Sequence, residues 1–420
     1  MNSLDRELNQ RLAALREQGL LRELKRVDSP QSPRITIAGK TFLNFASNDY
    51  LGLANEPLLK EAAVKAVERF GAGAGASRLI CGSLAPHHEL EETIADFKGT
   101  PAALSFSSGY ATAVGTLGAL LGKDDIVVID RLVHASVVDA ARLCGAKLRV
   151  FAHNDPDELE AILKWASQRI HKSQISNLKS QILVVTESVF SMDGDFAPLR
   201  ELADLKDKYG AWLMVDEAHA TGLYGKNRGG LAQECGVGSR IEIQMGTLGK
   251  AVGSAGGYIC GSRTLIDFLI NRARSFIFST APPPAAAAAA TAGLRLIQSK
   301  AGAERCAALW RRVAQLTSPL APRPSPFPSA ILPLLIGGET QAVEAAAALQ
   351  RHGIFIPAIR YPTVARNRAR LRLTLTAAHQ EQDVQQLRDS LARLDLRFEI
   401  SNLRFNHRAP DPSPTSERSS

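Results

Sequence analysis

Trp212-Leu213-Met214-Val215-Asp216-Glu217-Ala218-His219-Ala220 runs a short apolar stretch into a pair of acids and then an imidazole. A run this short, apolar throughout and ended by charge, reads as a strand buried on both faces. Runs of the same kind flank it: Ile126-Val127-Val128-Ile129 and Ile182-Leu183-Val184-Val185 before it, Ile241-Glu242-Ile243-Gln244-Met245 after it. Amphipathic stretches separate them. This alternation predicts an α/β fold, with a mainly parallel sheet between helices, over residues 51 to about 290. Ligands of such sheets collect beyond the carboxyl ends of the strands, so the polar residues that follow each run are the site candidates.

Asp216 and His219 are the first pair. The letters Asp-Glu-Ala-His also occur in nucleic-acid helicases, which additionally need a Gly-rich phosphate loop ending in Gly-Lys-Ser/Thr. The match here, Gly39-Lys40-Thr41, has Arg34 where the first glycine belongs, so that reading fails. The second candidate is Gly246-Thr247-Leu248-Gly249-Lys250-Ala251-Val252-Gly253, with Gly256-Gly257 soon after. Glycines on both sides of a lysine let backbone approach a flat ligand and leave the amine unobstructed; the bland alternative is a flexible surface loop. One helix-and-strand unit separates Asp216 from Lys250, so both can reach the same sheet edge.

Phe106-Ser107-Ser108-Gly109-Tyr110-Ala111 turns a strand end into an Ala-rich helix. Small residues at a helix start expose unpaired N–H groups, which stabilise a phosphate; they also serve as ordinary caps. Asp130-Arg131-Leu132-Val133-His134 places a histidine just past a strand, and Thr186-Glu187-Ser188-Val189-Phe190-Ser191 places a serine past another. An amine, a carboxylate, two imidazoles and a phosphate cup together meet the needs of pyridoxal 5′-phosphate (PLP), which requires a Schiff-base lysine, an acid for its ring nitrogen and a phosphate anchor. No His/Cys/carboxylate set shows ligand spacing on one element, so no metal is expected.

The 420 residues are 45% hydrophobic and 22% charged, as in globular proteins, and no apolar run has the length of a membrane helix. The five cysteines are odd in number and scattered, and the N-terminus has no secretory core, so the chain reads as cytoplasmic. A net charge of +8 suits anionic substrates; dispersed basic residues and 6% aromatics argue against nucleic acid as partner. Leucines at near-helical spacing (Leu4, Leu8, Leu12, Leu15, Leu21, Leu24) mark residues 1–50 as an N-terminal arm, helical as far as Pro30 and Pro33. Residues 51–290 form the large domain. A smaller α+β unit is expected over 291–400, with Arg370-Leu371-Arg372-Leu373-Thr374-Leu375-Thr376 as an alternating strand, and a Pro/Ser-rich disordered tail over 401–420.

From about residue 20 to 400 the chain resembles the α-oxoamine synthases, a family of fold-type-I PLP-dependent transferases. The resemblance rests on Asn48-Asp49-Tyr50-Leu51-Gly52-Leu53, Gly73-Ala74-Gly75-Ala76-Ser77-Arg78, Phe151-Ala152-His153-Asn154-Asp155, Val189 to Asp195 and Ala358-Ile359-Arg360-Tyr361-Pro362-Thr363-Val364. It implies that Lys250, Asp216 and His134 are catalytic: Lys250 bonds the cofactor, Asp216 pairs with its ring nitrogen and His134 stacks on the ring. Ser191 and His219 would lie near its phenolic oxygen, and Gly109, Tyr110 and Thr247 near its phosphate. Arg22, His134 and Thr363 would meet substrate, with Arg360 as carboxylate clamp. The implied reaction condenses an amino acid with an acyl thioester. The His153-Asn154-Asp155, 358–364 and 373–379 motifs favour L-alanine and a pimeloyl thioester of CoA or a carrier protein, a step of biotin biosynthesis, in a homodimer. A sister synthase, an aminotransferase and a non-catalytic protein are the alternatives.

Overall fold

The computed structural model describes residues 2–172, 180–318 and 327–393, so the 401–420 tail lies outside the described residues. Its strands are β1 (Arg34–Ile37), β2 (Lys40–Asn44), β3 (Ala102–Phe106), β4 (Ile126–Asp130), β5 (Lys147–Phe151), β6 (Ile182–Glu187), β7 (Trp212–Asp216), β8 (Ile243–Thr247), β9 (Gly257–Gly261), β10 (Ile331–Gly337), β11 (Ile354–Phe355), β12 (Ala358–Ile359) and β13 (Ala369–Thr374). Seven of them form one sheet in the order β3-β9-β8-β7-β6-β4-β5.

Neighbours from β5 to β8 in that sheet run parallel, as the alternating pattern predicts. Val128, Val184, Leu213 and Val215 enter the core on one face, while Val127, Ile129, Leu183, Val185 and Met214 enter it on the other. Both faces are therefore dry, which is why these strands read as continuous apolar runs. Each such side chain contributes about 1.5–3 kcal/mol of burial.

Strand β9 is antiparallel to both β8 and β3. The 248–256 segment that joins β8 to β9 is too short for a crossover helix, so the chain must turn straight back. That short return carries Lys250. The predicted strand at 241–245 is displaced to Ile243–Thr247, because Ile241 closes a 3-10 turn over Gly238–Arg240.

The other strands form two three-stranded sheets, in the orders β10-β13-β12 and β1-β2-β11. The hairpin of residues 34–44 thus pairs with Ile354–Phe355, far away in sequence. The first helix covers Ser3–Glu17 and no further: Gly19, at φ 66°, takes the left-handed conformation that ends it, so Leu21 and Leu24 fall beyond it. None of its residues is buried. No helix among the described residues is long and apolar enough to cross a membrane.

Candidate active site

The carboxyl ends of β4, β6, β7 and β8 converge on one charged cluster. Asp216 closes β7 and stands in register with Glu187, which closes β6. Both carboxylates are buried, and burial pushes both up from the usual range, Glu187 well above it; Asp216 adds to the shift of Glu187 and Glu217 to that of Asp216, while Lys250 opposes both. Asp216 accepts the Ala218 amide at 2.9 Å, and Glu187 accepts the Ser191 amide at 3.1 Å, with its second oxygen buried and unpaired.

Lys250 donates to Thr247 Oγ1 at 3.1 Å. Burial lowers its ammonium from the ordinary lysine value, Asp216 and Glu187 oppose that, and the Arg372 guanidinium reinforces it. A lysine so placed is more easily neutral, which is what a nucleophilic amine needs. His219 is buried and held well below the ordinary imidazole range, first by burial and then by the neighbouring Lys250 and Arg372 cations. Its Nδ1 is 2.6 Å from the Tyr50 hydroxyl, which itself accepts from Arg372 at 3.4 Å. The Tyr50 hydroxyl also lies 3.4 Å from Asn48 Oδ1; when it gives its hydrogen to the much closer Nδ1, the neutral imidazole carries its own on Nε2. His134 caps the Ala135–Leu143 helix, its Nδ1 within 2.8 Å of Ser136 Oγ. Desolvation lowers its pKa, and the Asp216 carboxylate opposes the shift.

The cup expected to take a phosphate lies at the start of the Gly109–Leu120 helix. Ser108 takes the Ala111 amide on its hydroxyl, and the first helical amides, those of Gly109 and Tyr110, have no acceptor within the helix. Gly109 is required for close approach: a Cβ there would stand 2.7 Å from Thr247 Cγ2. Tyr110 is half-exposed and donates to Asp139 at 2.9 Å, tying the start of its helix to the middle of the Ala135–Leu143 helix. Ser191 is buried beside Glu187, and its carbonyl accepts from Arg372 Nε at 2.5 Å.

The other predicted residues gather elsewhere. Arg22 donates to Thr363 Oγ1 at 3.3 Å and to the Tyr361 carbonyl at 3.2 Å. Arg360 donates to the Gly19 and Leu21 carbonyls, and burial together with nearby Arg22 lowers its pKa. The guanidinium that acts on Lys250 and His219 is not Arg360 but Arg372, buried on β13 and bonded to Ser191, Asn48, Thr374 and Tyr50, none of them a carboxylate in these contacts. Arg372 and Glu187 are the site residues that sequence reasoning missed. Arg370-Leu371-Arg372 alternates, and alternation reads as a polar face in water, yet all of β13 is buried. Glu187 was visible only as the polar residue that ends an apolar run.

A Gly-lined cup at a helix start, a buried amine of lowered pKa and a buried carboxylate fit PLP: Lys250 can bond it, Asp216 can meet its ring nitrogen, and Gly109, Tyr110 and Thr247 can receive its phosphate.

Comparison with known proteins agrees. Residues 40–391 match the family of class I and II aminotransferases. The 8-amino-7-oxononanoate synthase of Geotalea daltonii is 44% identical over 93% of this chain and 98% of its own length, and that of Anaeromyxobacter sp. (strain Fw109-5) is 47% identical over 91% and 92%. Among solved structures, serine palmitoyltransferase from S. paucimobilis with bound PLP and myriocin superposes with a TM-score of 0.84 at 27% identity, covering 94% of this chain and 99% of that one. The 8-amino-7-oxononanoate synthase of Francisella tularensis gives 0.68 at 27%, covering 84% and 97%. The chain belongs to the class I and II aminotransferase family and, within it, to the 8-amino-7-oxononanoate synthases, PLP-dependent acyltransferases of biotin synthesis.

Proposed function

We propose that this enzyme condenses L-alanine with a pimeloyl thioester, giving 8-amino-7-oxononanoate, CO2 and the free thiol of CoA or a carrier protein. The observation that carries the reading is the buried Lys250–Asp216 pair with Arg372 beside it: an amine, an acid and a cation with no carboxylate among its four hydrogen-bond partners, suited to the carboxylate of a small amino acid. PLP, when bound, supplies the electron sink that makes the α-hydrogen of the amino acid acidic.

The protein's own residues do the rest. Asp216 holds a proton at the cofactor's ring nitrogen, a role its burial and proximity to cations suit. Lys250 would take the α-proton, its amine more easily neutral for being buried. His134 would cover the ring and could pass protons to the new carbon centre. Ser191 and His219 would meet the phenolic edge, the neutral His219 donating from Nε2 when Tyr50 donates to Nδ1. Arg372 would meet the carboxylate of alanine, the group later lost as CO2, through the Nη2–H that its bonds to Ser191, Asn48, Thr374 and Tyr50 leave over. Arg22 and Arg360, adjacent and both without a carboxylate among their hydrogen bonds, form with Thr363 an anion site suited to the far carboxylate of the pimeloyl chain. The enzyme works as a homodimer in the cytoplasm.

Serine palmitoyltransferase, with the higher TM-scores, supports a second reading: serine joined to a long acyl chain. Thiol release decides between them. L-Alanine with pimeloyl-CoA should outpace serine with palmitoyl-CoA and glycine with acetyl-CoA in one assay; release only with another pair would overturn the substrate assignment and keep the chemistry.

A further inference from the structure

The site is lined by two separate loops, and one side chain joins them. The turn after β4 runs from Asp130 to His134, and Asp130 shapes it by accepting the Leu132 amide at 2.7 Å. The loop after β6 runs from Ser188 to Asp195 and carries Ser191; it closes on itself through the Phe190 amide to the Asp195 carbonyl at 3.0 Å and the Gly194 amide to the Phe190 carbonyl at 2.9 Å. His153, beyond β5, lies between them. Its Nδ1 is 3.0 Å from Asp130 Oδ1 and its Nε2 is 2.6 Å from Asp195 Oδ2, while its ring meets the Phe190 ring edge-on at 4.4 Å.

A neutral imidazole has one N–H and can satisfy one carboxylate; two carboxylates call for the doubly protonated ring. Burial disfavours the charge, but the bonds to Asp130 and Asp195 outweigh it and push His153 up to about 10, so the bridge is charged throughout the neutral range. On its other side the Ser191 loop is gripped by β13: Arg370 pairs with Asp193 at 2.5 Å, and Arg372 holds the Ser191 carbonyl. The loop is thus suspended between the large sheet and the small one, with His153 as its anchor on the large sheet.

We infer that His153 is a positioning residue: as an imidazolium shared by Asp130 and Asp195, it fixes the distance between His134 and Ser191, and so the seat of the cofactor ring. It touches neither substrate nor ring and acts through the two loops. Asn154 extends the same tie, its amide donating to Asp130 Oδ2 at 2.9 Å and its side chain to the Phe196 carbonyl at 3.0 Å.

The inference rests on the PLP reading and is tested on the PLP-loaded full chain. His153→Gln keeps a donor and an acceptor but no charge and cannot donate to both carboxylates. It should weaken the circular dichroism of the bound cofactor, raise the cofactor dissociation constant about tenfold, the effect of one lost charge-assisted contact, and lower kcat more than it raises either KM. Asp195→Asn with His153 intact, which can still present an oxygen to Nε2, should retain most of the dichroism. A folded His153→Gln protein with lower melting temperature but wild-type dichroism, cofactor affinity and kcat would make His153 a structural tie only and overturn the inference. Should that variant not fold, Asp195→Ala is read by the same dichroism, and an unchanged spectrum overturns it equally. A wild-type chain that binds no PLP would instead refute the underlying functional reading.

Discussion

Removing Lys98 tests how the charge behind Asp216 is balanced. Glu217 follows Asp216 in the chain, is fully buried, and its charge pushes Asp216 upward. Lys98, itself 2% exposed, donates to Glu217 Oε2 and at 2.6 Å to the Gly229 carbonyl. Gly230, at φ 136°, passes directly over the carboxylate, and a Cβ there would overlap it. Water is excluded, so Lys98→Met leaves a buried carboxylate uncompensated, at about 3–5 kcal/mol. Over a chain of this length, with about 2 cal/mol/K of unfolding entropy per residue, that lowers the melting midpoint by about 5 °C. Glu217 Oε1 also accepts the Ala232 amide at 2.8 Å, a bond that glutamine retains. The double variant Lys98→Met/Glu217→Gln should therefore recover about 2 kcal/mol relative to the sum of the single variants. Calorimetry of the four proteins gives the cycle. Additive losses, or a single-variant loss below about 1 kcal/mol, where an exposed pair would fall, would show that the pair is not the buried unit described.

Three further outcomes are expected. Arg372→Gln should raise the KM for L-alanine about 10- to 100-fold, the worth of a charge-assisted carboxylate contact, whereas Arg360→Gln should act on the KM of the acyl donor; steady-state kinetics with each substrate varied separates them, and the reverse pattern would return the alanine carboxylate to Arg360. Gly109→Ala forces Thr247 to rotate away from its 2.7 Å overlap, taking its hydroxyl from Lys250; cofactor affinity should fall about tenfold or more with little change in the apoprotein's melting, and unchanged PLP binding by absorbance titration would contradict the cup. His379 accepts the Thr376 amide on Nδ1, lies 3.1 Å from the Asn44 carbonyl on Nε2, and stacks on Phe45, and burial pushes its pKa down to about 4. Unfolded, it titrates near 6.5, so its contribution is intact above that pH and is lost as pH falls toward 4, by about 3 kcal/mol in all. Chemical denaturation from pH 7 to 4 should show that slope in the wild type and a shallower one in His379→Gln.

The large sheet could be read from sequence because parallel strands buried on both faces leave unbroken apolar runs, and the polar residue ending each run, such as Asp216, announces the site. What resisted reading were interactions set by distant pairing. The 34–44 hairpin offered no sign of its partner at Ile354–Phe355, since register between remote strands is written in neither. Arg370 and Arg372 alternate with leucines as surface residues do, and it is the loop carrying Ser191, folded over β13, together with Asn48 and Tyr50 against Arg372, that buries them. Arg360 was assigned by motif position, but its surroundings are decided by residues 19–21, where the first helix stops and the chain turns back.

The most direct test of the proposed chemistry is a carbon balance with L-[1-13C]alanine and pimeloyl-CoA on the PLP-loaded enzyme. The account predicts labelled CO2, free CoA and unlabelled 8-amino-7-oxononanoate in equal amounts by mass spectrometry. Label retained in pyruvate without CoA release would mark an aminotransferase, and label retained in the condensed product would contradict decarboxylative condensation.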